Sequence, residues 1–76
     1  MIDVRLYAHL PAASKQGLAE FQVETRPGLT VSDVLNDAGI PPEAVYIIMI
    51  DGAPANLDSA LSDNHRLALF PAVSGG

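Results

Sequence analysis

The residues of this chain that could do chemistry are few, and the most suggestive are the last two, Gly75 and Gly76. Neither has a side chain, and glycine adopts backbone angles that other residues avoid, so this stretch could thread a narrow channel. The reactive group here is the terminal carboxylate of Gly76. Residues 71–76 span roughly 20 Å when extended. We therefore expect a folded domain, residues 1–70, that presents a flexible tail, residues 71–76, to another protein's active site. The alternative is an incidental glycine-rich end.

Other kinds of reactive site find little support in the sequence. It contains no cysteine, which excludes disulfides, a thiolate nucleophile and a cysteine-ligated metal. The two histidines, His9 and His65, lack metal-ligand spacing, so we expect no metal site. There is no Ser/His/Asp arrangement that spacing supports and no glycine-rich phosphate loop. We expect that the protein is not an enzyme by itself and binds no cofactor.

Length and charge narrow the class of protein. The 76 residues form one domain, and with 49% hydrophobic and 17% charged residues the chain should fold rather than stay disordered. The net charge of −5, with only four cations, argues against nucleic-acid binding, which depends on cations that displace counterions from phosphates. The acidity suits a basic protein partner, and solubility alone explains it equally well. We expect no membrane span and no signal peptide, and hence a cytoplasmic protein.

Alternating apolar residues predict the strands that would carry the tail. Residues 2–10 alternate strictly between apolar and polar positions, which predicts a strand with one buried face. Residues 18–25 predict a second strand, and the short loop between the two makes them a hairpin. Residues 46–50 are almost continuously apolar, as in a strand covered on both faces. The last predicted strand, residues 66–70, leads directly into the tail.

The segment after the hairpin predicts one short helix. Thr30 is a good N-cap, and Asp33 is spaced to return a hydrogen bond to the backbone of the cap. Gly39 suits the end of the helix, and the two prolines that follow prevent its continuation. The helix would bury one apolar stripe, formed by Val31, Val34, Leu35 and Ala38.

The connection to the last strand completes the expected fold. Asp51-Gly52 predicts a tight turn, and residues 53–57 predict an edge strand that Pro54 limits. Residues 57–61 predict a helical turn. The order strand, strand, helix, strand, short strand, strand indicates an α+β fold of the β-grasp (ubiquitin-like) type. This is a mixed sheet of four to five strands with one main helix packed on one face, and the last strand lies beside the first.

One helix can cover only one face of this sheet, so the other face must stay largely open. That face would carry alternate residues of the first and last strands and one side of the third strand (Ile48, with Tyr46 or Met49 depending on register). Contiguous exposed apolar surface usually marks a site for a protein partner. Unless the tail or a loop folds over it, we predict a docking face that leads into the tail and consists of Tyr7, Ile48, Ala68, Phe70 and Pro71.

Six stretches of the sequence together form the basis of a resemblance to a known protein family. The last stretch is residues 69–76, and its Phe-Pro-Ala-Val-Ser-Gly-Gly ending is the most specific element. The others are Val4-Arg5-Leu6-Tyr7-Ala8, Thr30-Val31-Ser32-Asp33-Val34-Leu35, Ile50-Asp51-Gly52, Leu57-Asp58 and Leu61-Ser62-Asp63. In these stretches, which are spread over residues 4–76, the sequence resembles the MoaD/ThiS family of ubiquitin-like sulfur carriers, above all the small subunit of molybdopterin synthase. One departure from the molybdopterin branch is the segment 39–46, which is short where many members of that branch carry a longer insertion. Its length is closer to carriers of the thiamin branch and to unassigned carriers of the family.

The resemblance implies a mechanism. An activating enzyme of the ubiquitin-activating type would use ATP to adenylate the carboxylate of Gly76, and sulfur from a persulfide would displace AMP to leave a thiocarboxylate. Gly76 would be the covalent site and Gly75 the residue that gives clearance, with Ser74 and Val73 completing the inserted tail. In molybdopterin (molybdenum or tungsten cofactor) biosynthesis the tail enters a larger catalytic subunit and gives its sulfur to a pterin precursor. Phe70 and its neighbours would form the docking face.

Three alternatives remain at this point. The sulfur could serve thiamin or another sulfur-containing metabolite. The protein could instead be a ubiquitin-like modifier, with Gly76 joined to a lysine of a target protein. It could also be a plain β-grasp interaction module whose glycines are incidental. The carrier and the modifier share the adenylation step, so the fate of the acyl-adenylate separates them.

Overall fold

The structure is a computed structural model that describes residues 1–14 and 17–72. Its strands are β1 (Ile2–Leu6), β2 (Glu20–Val23), β3 (Val45–Ile50), β4 (Ala53–Ala55) and β5 (Arg66–Pro71), and its α-helix is α1 (Val31–Ala38). Short 3₁₀ helices occupy Leu10–Ala13 and Pro42–Ala44. Within the described residues, no helix has the length and hydropathy needed to cross a membrane.

The strands form one mixed sheet of five strands in the order β2-β1-β5-β3-β4. β1 pairs with β5 in parallel, and every other neighbouring pair is antiparallel. The last strand therefore lies beside the first, at the centre of the sheet, and α1 packs on one face. The predicted β-grasp fold is confirmed.

The core lies between the sheet and α1, and the alternation of the strands explains its composition. In β1 every second residue is buried, and β5 shows the same period. α1 adds the apolar stripe predicted from its sequence, with Val31, Val34 and Leu35 fully buried and Ala38 half-buried. The buried core consists of Ile2, Val4, Leu6, Leu10, Leu29, Val31, Val34, Leu35, Ile40, Ile48, Leu61, Leu67 and Leu69.

The predicted caps hold α1 at both ends. The Thr30 hydroxyl accepts a hydrogen bond from the Asp33 amide at 3.3 Å, and the Asp33 carboxylate accepts one from the Thr30 amide at 3.0 Å. At the other end Gly39 has a φ of 75°, and the following amide of Ile40 donates to the carbonyl of Leu35 at 2.9 Å. Glycine adopts this left-handed conformation without steric cost. The helix boundaries predicted from Thr30 and Gly39 are confirmed.

The first strand is shorter than the alternation predicted. β1 ends at Leu6, and the chain then turns, with Ala8 in the left-handed region at a φ of 55°. The Leu10 amide donates to the carbonyl of Tyr7 at 3.1 Å, and Pro11 lies in the first turn of the 3₁₀ helix. Leu10 is still buried, but the turn rather than the strand brings it to the core. The alternation over residues 2–10 put Ala8 on the buried face of the strand together with Ile2, Val4, Leu6 and Leu10, and this is wrong for Ala8, which is exposed.

The connection from β3 to β5 follows the prediction in part. Asp51 and Gly52 both have positive φ, 51° and 81°, as a tight two-residue hairpin turn requires, and β4 is a short strand. Residues 57–61 do not form the predicted helical turn. They form a turn and a bridge to Thr30, and the carbonyls of Leu57 and Ser59 accept hydrogen bonds from the Ser32 and Val31 amides at 2.9 and 3.1 Å. These carbonyls satisfy amides at the start of α1 that have no partner inside a helix.

An ion pair joins the first residue of the chain to the loop before β5. The Met1 ammonium forms an ion pair with the carboxylate of Asp63, which also accepts a hydrogen bond from the Thr25 hydroxyl at 3.0 Å. The hydrogen bond from the ammonium, followed by that from Thr25, lowers the pKa of Asp63. Because the carboxylate is favoured in the folded state, its stabilising effect is present above the unfolded pKa and is lost as the pH falls through the folded value.

We expect Asp63→Asn to lower the melting temperature slightly at neutral pH, since the pair is exposed. The difference from the unsubstituted protein should shrink as the pH falls below the ordinary aspartate value of 3.8, where the native carboxylate also becomes neutral. Thermal unfolding of both proteins followed by circular dichroism across this range measures the effect. A difference that stays constant across the range would mean that the charge of Asp63 does not stabilise the fold.

Candidate functional site

The face of the sheet opposite α1 carries the most distinctive surface of the molecule, which we call the open face. Residues paired across neighbouring strands share a face, so the register identifies its members. Arg5 pairs with Ala68, and Ala68 pairs in turn with Met49. The apolar members of the open face are Tyr7, Ile47, Met49, Ala68 and Phe70.

An aromatic pair marks the edge from which the tail continues. The rings of Tyr7 and Phe70 stack with their centroids 4.4 Å apart and their planes 10° from parallel. The Tyr7 amide donates to the carbonyl of Leu69 at 3.1 Å, which fixes the backbone just after β1 against β5. Because β1 and β5 are parallel, their carboxyl ends meet at the same edge of the sheet. The stack therefore lies beside Pro71, where residues 71–76 begin.

The structure places Tyr7, Ala68 and Phe70 on the open face, as the alternation indicated. Tyr7 is 36% exposed, and Ala68 and Phe70 are half-buried. Aromatic and small residues at this depth can lose further surface to a partner without leaving a polar group unsatisfied. Their geometry is compatible with a docking face, and their docking role stays a prediction.

The prediction that Ile48 lies on the open face is wrong. Ile48 pairs with Leu69, so both side chains point to the helix side, and Ile48 is only 9% exposed. The third strand instead contributes Met49, which pairs with Ala68, and Ile47, which pairs with Phe70 and is 44% exposed. The pairing is irregular between Val45 and Ile47, where the register shifts.

Pro71 also differs from its predicted place in the docking face. It continues the parity of Leu67 and Leu69, lies in β5 opposite Val45 and is buried. Its ring therefore belongs to the helix side of the sheet, and it is not available to a partner on the open face.

The other half of the open face is charged. Arg5 forms an ion pair with Glu20 at 2.8 Å between Nη2 and Oε1, and a hydrogen bond with the Tyr7 side chain, ahead of the charge of Glu20, raises the pKa of Arg5. Sequence reasoning did not single out this arginine, although its place in the alternation of β1, between two buried residues, was a signal for it. It borders the aromatic stack and would offer a cation next to the apolar surface.

The turn before β4 contributes further polar groups to this half. The Arg66 amide donates to the Asp51 carboxylate at 2.8 Å, and His65 Nε2 lies 3.8 Å from the other oxygen of Asp51. The ring of His65 also accepts a hydrogen bond from the Ser62 amide at 2.9 Å through Nδ1. These contacts give His65 a structural role in the loop. Among the residues that the structure describes, no cluster of three or more potential metal ligands occurs.

Residues 73–76 of the predicted tail lie outside the described residues. Val73, Ser74, Gly75 and Gly76 fall in this part of the chain, so the structure contributes the platform from which the tail continues and not the tail itself. β5 extends one residue into the predicted tail, to Pro71. The division into a domain of residues 1–70 and a flexible tail of residues 71–76 stays a prediction.

Comparison with solved structures finds the same fold in small archaeal proteins. SAMP1 from Haloferax volcanii is similar with a TM-score of 0.73 and 25% sequence identity, over 99% of this chain and 98% of that chain. A putative molybdopterin converting factor, subunit 1, from Pyrococcus furiosus has a TM-score of 0.71 and 20% identity, over 95% and 97% of the two chains. The HVO 2177 protein of Haloferax volcanii has a TM-score of 0.73 and 20% identity, over 99% and 85%.

Comparison of sequences gives the family. A search of the curated proteins finds no match. The model of the ThiS family matches residues 4–76, which include the whole sheet from Val4 onward, α1 and the Gly-Gly segment. The ubiquitin-like fold agrees with this match. The chain is therefore a member of the ThiS family, which consists of small ubiquitin-like carrier proteins of the sulfur-carrier and modifier type.

Proposed function

We propose that this protein is a sulfur carrier whose Gly76 carboxylate is adenylated and converted to a thiocarboxylate. The observation that carries the proposal is the extent of the ThiS match, which continues through residues 71–76 to Gly76. The central position of β5 supports it, because the strand that leads into the tail is held by β1 on one side and β3 on the other. A rigid base of this kind limits the orientations in which the tail meets a partner.

The chemistry needs two partners besides the carrier. A carboxylate oxygen of Gly76 attacks the α-phosphorus of ATP in the activating enzyme and pyrophosphate leaves. This step is needed because a free carboxylate is a poor electrophile, whereas AMP is a good leaving group. A persulfide sulfur of the sulfur donor then attacks the acyl carbon and AMP leaves. A thiol finally cleaves the new S–S bond, which yields the thiocarboxylate of Gly76 and a disulfide. The carrier binds no cofactor in this scheme, and ATP belongs to the activating enzyme.

The open face is the proposed docking surface for these partners. Tyr7 and Phe70 are already ordered against each other, so little side-chain entropy is lost when a partner covers them. The apolar group continues through Ala68 and Met49, and Arg5 borders it. The activating enzyme and the acceptor would meet the same face in turn, because each needs the tail that continues from its edge.

The proposed destination of the sulfur is molybdopterin, in a complex with a larger catalytic subunit. The ending of residues 70–76 supports this branch, and so does the similar fold of the putative molybdopterin converting factor, subunit 1, from Pyrococcus furiosus. Transfer to thiamin or another sulfur metabolite is the alternative within the carrier class, and the short segment 39–46 supports it.

A second candidate function is protein modification. SAMP1 from Haloferax volcanii, the small archaeal modifier protein 1, is 25% identical in sequence over 99% of this chain. In this case the acyl group of Gly76 would pass to the amine of a lysine and form an isopeptide bond. Carrier and modifier differ only after adenylation, so the nucleophile that attacks the acyl-adenylate decides between them.

The absence of cysteine gives the test of the function. The protein is incubated with ATP, a sulfur source and lysate of its own source organism, treated with a thiol alkylator and measured as an intact mass. An alkylator adduct that maps to the C-terminal peptide is a thiocarboxylate, because the chain has no thiol. This adduct is the expected result. ATP-dependent conjugates of higher mass without the adduct would instead establish the modifier. If an active lysate gave neither the adduct nor the conjugates, both the carrier and the modifier function would be overturned.

We expect Phe70→Asp to weaken binding to the activating enzyme roughly 30-fold or more, as for the loss of a central aromatic contact of an interface. The substitution removes the ring stacked on Tyr7 at 4.4 Å and puts a charge into the apolar surface. Binding is measured by calorimetry or by a pull-down at several concentrations.

The control for this variant is Asn36→Asp, which adds the same charge at an exposed position of α1 on the other side of the domain. Phe70→Leu, which keeps an apolar side chain but loses the stack, should fall between the two. The melting temperatures of all three variants show whether the fold is intact. Unchanged binding of Phe70→Asp would mean that partners do not use the open face.

A further inference from the structure

A second surface of the molecule has unsatisfied pairing capacity, at the edge of the sheet formed by β2. In the part of the chain that the structure describes, β2 has one hydrogen-bonded neighbour, β1. The Leu6 amide donates to the carbonyl of Ala19 at 2.7 Å, so these two residues form a hydrogen-bonded pair of the antiparallel ladder. Hydrogen-bonded pairs alternate along such a ladder, and the next ones are Val4 with Phe21 and Ile2 with Val23. The intervening residues of β2, Glu20 and Gln22, therefore direct their backbone N–H and C=O groups away from β1, to the outer edge.

The opposite edge of the sheet is protected, and this edge is not. β4 is a three-residue strand with Pro54 at its centre, and both features discourage the addition of another strand. β2 (Glu20–Val23) contains no proline and no positive-φ residue. It can therefore accept a further strand along its outer edge.

An apolar groove runs beside this edge, between β2 and α1. It has a volume of about 220 Å³, and its apolar lining comes from Leu18, Phe21, Val23, Val34 and Ala38. Phe21 and Val23 project from β2 towards α1 and are half-buried, while Leu18 is 46% exposed. A strand added to β2 would place every second side chain on this side of the sheet, next to Phe21 and Val23. The groove can accept these side chains if they are apolar.

The acidic residues along the edge indicate which side chains should alternate with the apolar ones on an added strand. Side chains that alternate with the apolar ones would lie on the open-face side, next to Glu20 and, just past the strand, Glu24. Asp37 lies at the helical wall of the groove, where Arg26 approaches it at 3.3 Å. Arg5 pairs with Glu20 on the open face. The acidic residues suit lysine or arginine on an added strand, because opposite charges across neighbouring strands stabilise and like charges destabilise.

A second copy of this chain fits the edge less well than such a partner. Antiparallel pairing of two β2 strands centred on Gln22 would set Glu20 of each copy opposite Glu24 of the other. The repulsion opposes this dimer, and the overall charge of −5 adds to it.

We propose that the outer edge of β2 and the adjoining groove form a second docking site, separate from the apolar half of the open face around Tyr7 and Phe70. It takes an extended segment of a partner protein in which apolar residues alternate with basic ones. The segment pairs antiparallel with Glu20–Val23, its apolar side chains enter the groove beside Phe21, and its basic side chains lie near Glu20 and Glu24. Because this site is on an outer strand and the tail continues from the central strand β5, one partner can hold the β2 edge while the apolar half of the open face, around Tyr7 and Phe70, stays free.

The test uses a blocked synthetic peptide, Lys-Val-Thr-Val-Lys, titrated into the isotopically labelled protein and followed by two-dimensional NMR. We expect saturable shifts confined to β2, Leu18 and the facing side of α1, with slowed hydrogen exchange of the Gln22 amide. A peptide with glutamate in place of both lysines should not bind. Methylation of the central threonine nitrogen, which removes the donor to the Gln22 carbonyl, should weaken binding roughly tenfold. This last comparison leaves the protein unchanged.

A pair of protein variants separates the backbone from the side chain. Gln22→Pro removes the outward N–H and no ladder bond to β1, so the fold should persist while peptide affinity falls roughly tenfold. Gln22→Ala is the matched control, since it keeps the N–H and loses only the side chain, which donates to Asp3 at 2.8 Å. It should bind as the native protein does.

Three results would overturn the proposal. The first is the absence of shifts at millimolar peptide. The second is shifts centred on Tyr7 and Phe70, which would place the peptide on the open face. The third is shifts of β2 that depend on protein concentration without peptide, which would identify the occupant as a second copy. None of these experiments involves Gly76, so failure here leaves the proposed carrier function intact.

Discussion

Gly75→Val is expected to reduce thiocarboxylate formation by about 100-fold, the size of loss that follows when a reacting group is displaced by about 1 Å. Valine adds a branched side chain next to the reacting carboxylate, in a tail that is proposed to enter the narrow active site of the activating enzyme. It also restricts the backbone at a position where glycine has the widest choice of conformation. The measurement is the alkylator adduct formed per unit time with ATP and a sulfur source.

The matched control for this variant is Ala53→Val in β4. Ala53 is exposed and lies on an outer strand, away from both the tail and the open face. It should form the thiocarboxylate at the native rate, and both variants should keep the native melting temperature. Gly75→Ala, with one added carbon, should lie between Gly75→Val and the native protein. Equal rates for all of these proteins would mean that the tail does not enter a narrow site.

The parts of the fold that could be predicted are those in which local chemistry and the tertiary structure agree. Thr30 and Asp33 are three residues apart, and Gly39 stands where the apolar stripe ends; these features define a capped helix before any packing is considered, and the structure has it. β5 was equally predictable, because Leu67 and Leu69 alternate with exposed or half-buried neighbours. At such positions the local sequence and the packing in the folded protein favour the same structure.

The third strand shows why part of the candidate site could not be predicted. Residues 45–50 are apolar at every position, so the sequence has no period of two from which to read the parity of the strand. The parity is set by the hairpin turn at Asp51-Gly52 and by the irregular pairing near Ile47, both of which act through the partner strands. Ile48 therefore lies in the core and Met49 on the open face. A shift of one residue in register exchanges the two faces.

The first strand shows the opposite problem, a pattern that continues beyond its element. The alternation runs on through Ala8 to Leu10, yet the chain leaves the sheet after Leu6. Leu10 returns to the core because the 3₁₀ helix that begins there turns its side chain inward. Leu6 and Leu10 have the same place in the alternation, but Leu6 is buried by the strand and Leu10 by the turn that follows it. The sequence signal for the end of the strand was Pro11, which stood too far along the chain to mark the turn at Ala8.

Leu35→Ala is expected to lower the free energy of unfolding by about 2–5 kcal/mol, the range for truncating a fully buried leucine. Leu35 is 0% exposed at the centre of the stripe that fastens α1 to the sheet, and its carbonyl also accepts the hydrogen bond that closes the C-terminal cap. A domain of this size has about 4–11 kcal/mol in total. The loss is therefore a large share of the stability and should lower the melting temperature by about 10 °C or more.

Chemical denaturation of Leu35→Ala and of Asn36→Ala measures this effect with a control next to it in sequence. Asn36 is exposed, so its truncation removes no core contact and should change the stability by less than about 0.5 kcal/mol. Because α1 covers the face opposite the docking surface, Leu35→Ala at a temperature where it remains folded should still form the thiocarboxylate. Loss of stability together with retained carrier activity would separate the role of the helix, which holds the sheet, from that of the open face and the tail. An unchanged stability of Leu35→Ala would contradict the packing of α1 on the sheet.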